Sequence, residues 1–314
     1  MSPPAASGPF AAFVRRWAEP VEAALRALLP ASSAPPAALH AAMHYALFPG
    51  GKRLRPMLVL LGCQAAGGDP QRALRAAAAL ECLHTYSLVH DDLPCMDDDD
   101  LRRGRPTCHK AHGEAMALLA GDALLTVAFE GVADAGAAAV VALARAAGSL
   151  GMVGGQVEDL AAEGDGGRHT LERVQWIHDH KTGALITASL LVGAHAAAGP
   201  AGAPMEVLAP LARYGDLLGR AFQIADDCLD LTGTAAELGK NPLADVALGK
   251  LTWPALVGLE RSVLAARDLA RAAAAGVPAV VGATATWRGV AGSTLDAAAG
   301  LLQDVASYAV ERRS

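Results

Sequence analysis

The chain has 314 residues, 53% of them hydrophobic and 4% aromatic, with 26 basic against 32 acidic side chains for a net charge of -6. The length is enough for one large domain or two modest ones with a substantial core. An acidic balance without a basic stripe excludes a nucleic-acid-binding surface, since nothing is present to replace phosphate counterions. The Ala- and Leu-rich composition, with apolar residues at helical spacing and few Thr-Tyr-Val runs, excludes a sheet-based fold and predicts an all-α one. Five scattered cysteines (Cys63, Cys82, Cys95, Cys108, Cys228) form no CxxC pair and no zinc-type spacing. With no apolar signal segment behind Met1, they predict a reduced, cytoplasmic protein.

In chain order, residues 1–8 are Pro/Ala/Ser-rich and predicted to be a disordered leader. An amphipathic helix follows, bent or restarted at Pro20, and ends near Pro30. A turn through Ser32, Ser33, Pro35 and Pro36 opens a second helix that breaks at Phe48-Pro49-Gly50-Gly51. A third begins at Arg53 and is closed by Gly67-Gly68-Asp69-Pro70. From Gln71 a long helix carries Asp91-Asp92-Leu93-Pro94-Cys95-Met96-Asp97-Asp98 at its end, where Pro94 must disturb it. Further helices are predicted over 113–129, 137–148, 171–198, 206–232, 252–274 and 294–313, with loops at 164–167 and 237–248. The uncharged stretch 182–205 mimics a membrane span, but its Ala and Gly content, Ser189, His195 and Pro200 mark a buried bundle helix instead. No interdomain linker and no membrane span are expected, so residues 1–314 read as a single all-helical domain.

A second acidic cluster, Asp226-Asp227-Cys228-Leu229-Asp230, is also embedded in apolar helical sequence. Two carboxylates about 4 Å apart repel by roughly 4 kcal/mol at an effective dielectric of 20. A fold carrying two such clusters beside its core needs cations between them. Mg2+ is the natural candidate, and it favours ligands that bring phosphate oxygens. His84, Ser87 and Asp91 stack on one helix face at i, i+3 and i+7, and Asp98 would join them if the helix resumed after Pro94. Arg102 and Arg103 follow at once, and a guanidinium fork suits phosphate. A solvated acidic loop is the plain alternative for one Asp run; the Arg pair and the second cluster weigh against it.

In the second cluster Gln223, Asp227 and Asp230 stand at i, i+4 and i+7, with Asp226 one turn before Asp230, so all are expected on one stripe. The ligand spacing and mid-loop Gly of a calcium-binding loop are missing. Two facing helices would then clamp cations between Asp91/Asp97 and Asp226/Asp230. Lysine usage adds support, because only Lys52, Lys110, Lys181, Lys240 and Lys250 are present, four of them beside Gly or Thr at element ends. Gly50-Gly51-Lys52 is not a nucleotide-binding P-loop, since no strand precedes it and no Ser/Thr follows.

Taken together, Gly50-Gly51-Lys52-Arg53-Leu54-Arg55-Pro56, the run from Tyr86 to Thr107, Lys181-Thr182-Gly183, Phe222-Gln223 through Asp230, and Lys250-Leu251-Thr252 resemble the trans-isoprenyl diphosphate synthases, with the nearest likeness to the bacterial farnesyl branch. The resemblance implies an isoprenoid-synthase-type helical bundle around a central apolar cavity, working as a homodimer. It implies Mg2+, several ions per site and with Mn2+ as an alternative ion, held by Asp91, Asp92, Asp97, Asp226 and Asp230. Arg102, Lys181 and Lys240 would hold the allylic diphosphate (dimethylallyl or geranyl), Lys52, Arg55, His84 and Arg103 that of isopentenyl diphosphate, and Lys250 would also bind substrate. Thr182 and Gln223 would stabilise positive charge during condensation to farnesyl diphosphate.

Chain length is expected to be set by Tyr86 and Ser87, about one turn below the metal site, with Tyr86 as the floor for a fifteen-carbon product. A geranylgeranyl synthase, differing mainly in that floor, is the alternative; a class I terpene cyclase or a non-catalytic helical subunit lies further off. Leu243 and Trp253 depart from the resembling pattern. Gln156 and Asp159 are expected to act behind the site or as structure, and Asp122 to be a helix-packing carboxylate.

Overall fold

The computed structural model describes residues 8–48, 50–163, 169–232 and 251–311. The predicted leader therefore lies outside the described residues apart from Gly8, and so do the whole loops at 164–167 and 237–248. Phe10, Val14, Trp17, Val21 and Leu25 recur at helical spacing and form the buried stripe of α1 (Pro9–Leu28), which runs through Pro20 without restarting. Then come α2 (Ala37–Leu47), α3 (Leu54–Ala65) and, after a 3₁₀ turn capped by the Asp69 carboxylate, α4 (Leu74–Asp91). A two-residue antiparallel pair, β1 (Leu101–Arg102) and β2 (Arg105–Pro106), precedes the short α5 (Cys108–His112). The chain continues through α6 (Glu114–Val132), α7 (Ala137–Ala147), α8 (Met152–Glu163) and α9 (Leu171–Ile177). A π-helical turn, His178–Gly183, leads into α10 (Ala184–Ala198). Beyond it lie α11 (Met205–Thr232), α12 (Trp253–Val257), α13 (Leu259–Arg288) and α14 (Asp296–Glu311).

The all-α expectation is met. With so few aromatic side chains, helices pack by close approach of small residues. A Cβ on Gly62 of α3 would stand 2.2 Å from the Leu190 carbonyl oxygen of α10, and one on Gly193 would stand 2.0 Å from the Val59 carbonyl oxygen. These two glycines let α10 cross α3 in near backbone contact, and α10 is buried along almost its whole length. Thus the uncharged stretch 182–205 is largely a core helix, as expected. By length and composition alone, four helical stretches reach what a membrane crossing needs; in the one at Leu171–Ala201, 67% of the apolar window is buried inside the bundle.

Two elements depart from expectation. Gly151, Gly154 and Gly155 argue against a helix, yet α8 forms, because Gly155 serves packing: a Cβ there would lie 2.2 Å from the Lys181 backbone nitrogen. The expected helix 252–274 is divided at Gly258 (φ +84), and α13 then continues to Arg288 with Pro278 inside it. Replacing Gly193 by Val should destabilise the fold by about 1–3 kcal/mol or more, as overpacking does, measured by denaturant unfolding. An unchanged midpoint would mean that α3 and α10 do not pack this closely.

Candidate active site

Pro94 stops α4, and the chain that follows folds back on the helix end. The Asp97 N–H donates to the Asp91 carbonyl (2.9 Å), and the Asp98 N–H to that of Leu93 (3.2 Å), which brings Asp97 beside Asp91. The helix does not resume: Asp98 takes a left-handed backbone (φ 50), so it does not continue the His84–Asp91 face. Burial pushes the Asp91 carboxyl up to about 6; Lys181 opposes the shift, and Asp97 and Asp92 add to it. Asp92, grouped with the metal ligands by sequence, has a different partner. It is 2% exposed and takes both of its oxygens to Arg102 Nε, at 2.7 and 2.9 Å. Adjacent residues on a helix diverge by about 100°, so Asp91 and Asp92 open onto different surroundings.

A cationic pocket lies alongside. Arg55, on the first turn of α3, has its Nε buried with no hydrogen-bond partner. Burial pushes the Arg55 guanidinium down to about 10, with Glu81 and Asp226 opposing and Arg103 reinforcing the shift. His84 is held well below the usual imidazole range by burial and then by Arg55, Arg103, Arg102 and Arg53, so its ring is neutral at pH 7. Arg103 lies across Gly51, where an ideal Cβ would sit 2.8 Å from its Cζ, and donates to the Gly50 carbonyl. Ser87 donates to the His84 carbonyl at 2.9 Å. Among the described residues, the non-glycine positions with positive φ are Arg53, Asp98 and Arg103, all in these loops. Each costs on the order of 1–3 kcal/mol.

The π turn supplies the third wall. Its extra residue per turn rotates Lys181 onto Asp159 of α8, the ammonium meeting Oδ2 at 2.5 Å. Arg220 of α11 grips Asp179 with two hydrogen bonds (2.9 and 2.8 Å), and Thr187 donates to Asp216 at 2.8 Å. The second acidic motif divides as the first does. Asp226 and Asp230 are half-buried, whereas Asp227 is buried and does not share their stripe. Its Oδ1 accepts from Gln223 Nε2 (3.1 Å), and its Oδ2 accepts from the Trp253 N–H (2.9 Å) and stands 3.2 Å from His178 Nε2. Asp227 thus anchors the start of α12 to α11, and Trp253 has a backbone role there. Thr182 is half-buried in the π turn. Lys240, Lys250 and Leu243 lie outside the described residues.

Asp91, Asp97, Asp226, Arg55, His84, Arg102, Arg103 and Lys181 are therefore linked by contact or by field into one site. Among the described residues, no group of three or more His, Cys, Asp or Glu is assembled as a metal cage. Half-buried carboxylates without such a cage fit Mg2+, which keeps waters and completes its shell with substrate phosphates. Asp179 and Arg220, which brace the π turn, and Asp216, which holds α10 through Thr187, are not legible in the sequence because their partners lie 29–41 residues away. Asp159 was seen as a motif, but its hold on Lys181 was not.

The sequence pattern of the polyprenyl synthetases matches residues 36–277. The chain is 46% identical over 278 residues to geranylgeranyl pyrophosphate synthase 11, chloroplastic, of Arabidopsis thaliana, covering 84% of this chain and 75% of that protein. Among solved structures, an FPP/GFPP synthase from Zymomonas mobilis superposes with a TM-score of 0.79 at 36% identity, covering 95% of this chain and 98% of that one. A geranyltransferase from Helicobacter pylori complexed with magnesium and isoprenyl diphosphate gives a TM-score of 0.74 at 32% identity, over 91% and 96% of the two chains. The cytoplasmic expectation does not stand, since the similar curated proteins are chloroplastic ones. On sequence, fold and site together, the chain belongs to the polyprenyl synthetase family and is a short-chain trans-prenyltransferase.

Proposed function

We propose that the chain is a single-domain geranylgeranyl diphosphate synthase, extending allylic diphosphates with isopentenyl diphosphate to twenty carbons. The observation that carries this reading is the placement of Tyr86. Five residues before Asp91, it lies about 140° round the helix, whereas Ser87 lies within about 40° of Asp91. The Tyr86 ring is buried and meets His90 edge-on at 5.6 Å. His90 in turn lies against Gly121 and the Leu118 carbonyl of α6. The small Ser87 is then the nearest side chain beneath the metal site, which leaves room for a longer tail than the farnesyl reading allows. The 46% identity to geranylgeranyl synthases supports the same choice.

In this reading Asp91, Asp97, Asp226 and Asp230 hold Mg2+, and Asp92 holds Arg102 in place. Bound Mg2+ would supply charge stabilisation for the departing diphosphate. Arg102 and Lys181 bind that diphosphate from the opposite side, in a site where burial strengthens each contact. Lys52, Arg55, Arg103 and neutral His84 fix the diphosphate of isopentenyl diphosphate, so that its double bond faces the ionising carbon. Thr182 and the Gln223 carboxamide oxygen offer dipoles to the allylic cation, and the released diphosphate takes the proton lost at the end. Lys240 and Lys250 are assigned to the same diphosphates by motif. The apolar window at Leu171–Ala201 takes its place in the bundle, and this reading has no membrane crossing. A second copy of the chain covers the face of α6 that presents Leu118 and Leu119, which are 47% and 51% exposed.

Purified protein given isopentenyl and dimethylallyl diphosphates with Mg2+ should make mainly twenty-carbon product, and none with EDTA. Fifteen-carbon product alone would return the farnesyl reading, and no product at all would point to a non-catalytic subunit. Tyr86→Ala should leave twenty carbons as the main length; a shift from fifteen to twenty would restore Tyr86 as the floor. The raised Asp91 pKa is a penalty absent below the unfolded value near 4 and complete above about 6. At pH 7 Asp91→Asn should therefore stabilise the metal-free protein by about 1 kcal/mol or more, a rise in Tm of roughly 2 °C. It should also lower turnover by at least about a hundredfold. Loss of both stability and turnover would mean that Asp91 is structural.

A further inference from the structure

Arg53 lies between Lys52 and Arg55, yet its side chain serves none of the roles assigned to them. It is 2% exposed, and its guanidinium is fully buried. Three elements hold it at once. Nε donates to Glu22 Oε1 of α1 (2.9 Å), Nη1 to Glu81 Oε1 of α4 (2.8 Å), and Nη2 to the Leu47 carbonyl at the end of α2 (2.8 Å). Burial works against the Arg53 charge, but Glu81 and Glu22 outweigh it and keep the guanidinium charged. Its backbone is left-handed (φ 51, ψ 34) just where α3 begins, and its carbonyl accepts the Met57 N–H at 3.2 Å, closing the first turn that carries Arg55.

A buried ion triad is a poor stabilising device, because desolvation consumes much of the Coulombic gain and well-packed apolar residues often serve as well. A left-handed non-glycine residue adds a further cost. Both features fit a part that fixes direction. With all three guanidinium nitrogens held by α1, α2 and α4, the chain can leave Arg53 only one way, and Lys52 and Arg55 flank that point. Arg55 needs such support: its buried Nε has no partner, and Arg103 repels it.

We infer that the Glu22–Arg53–Glu81 triad, with its bond to the Leu47 carbonyl, is a positioning device that presets Lys52 and Arg55 for the diphosphate of the five-carbon homoallylic substrate. It rests on the assignment of Lys52, Arg55, His84 and Arg103 to that diphosphate. The triad acts through geometry: Lys at position 53 would keep the charge but cannot make three directed bonds from a planar fork.

The test is steady-state kinetics of the full-length protein with each substrate varied in turn, alongside thermal melts. Arg53→Lys should raise KM for isopentenyl diphosphate by about tenfold, with kcat and the allylic KM within about twofold, which is the signature of lost uniform binding of one substrate. Glu22→Leu, which leaves the Glu81 pair in place, should move the same KM by about threefold, and Glu22→Gln, which keeps an acceptor for Nε–H, should recover most of that loss. If Arg53→Lys folds poorly, the Glu22 pair decides alone. An unchanged isopentenyl KM, or a parallel loss in both KM values and kcat, would overturn the inference and leave the triad structural. Arg55→Gln is the control for the site itself: if it fails to raise the isopentenyl KM, the assignment of the pocket falls; if it raises KM while the triad variants do not, only the positioning role falls.

Discussion

Carboxylates that repel one another beside a buried helix end are the constraint on which this site depends. Asp91 and Asp97 are brought together by a backbone hydrogen bond, and burial holds the Asp91 carboxyl near 6. Protein cations nearby are mostly committed elsewhere: Arg102 to Asp92, Lys181 to Asp159, Arg220 to Asp179. The protein thus leaves a negative locus to be satisfied by cations that arrive with substrate. Alongside, it does the reverse. Arg55 and Arg103 crowd together around a neutral His84, with Glu81 behind them. One side calls for metal and the other for phosphate, and an Mg2+–diphosphate pair answers both.

Each acidic motif uses adjacent carboxylates for different work. Asp91 stands beside Asp97, while Asp92 is buried against Arg102. Asp226 is half-buried, while Asp227 ties Gln223, His178 and the Trp253 N–H together. A helix separates consecutive side chains by about 100°, so a DD pair delivers one carboxylate outward and one inward. The inward residues hold the outward ones at fixed angles. The π turn has the same function for Lys181, set between Gly155 of α8 and the Arg220–Asp179 clamp of α11.

Much of this could be read from the chain. The periodicity placed most helices, and the Asp, Arg and Lys motifs placed the site on the ends of α4 and α11, the start of α3 and the turn before α10. The misses share a cause. Spacing at i, i+4 and i+7 put Gln223, Asp227 and Asp230 on one stripe; Gln223 does bond Asp227, but His178 and the Trp253 N–H, distant in sequence, hold that carboxylate inward, away from Asp230. Glycine propensity hid α8, because Gly155 is there for contact with Lys181. The contact of the Tyr86 ring with His90, toward α6, is likewise not legible from its position in the motif. The partners of Arg53, Glu22 and Glu81, lie 31 and 28 residues away, so its burial is not legible from the local run.

The central claim is that the acidic locus binds its ions together with diphosphate. Calorimetric titration of Mn2+ into the metal-free protein, with and without inorganic diphosphate, tests it most directly. Coupled binding predicts weak uptake by the protein alone, and more than one ion per chain with affinity at least about tenfold higher once diphosphate is present. Equal affinity and stoichiometry in both titrations would contradict it, and would mean that Asp91, Asp97, Asp226 and Asp230 form a metal site independent of the substrate.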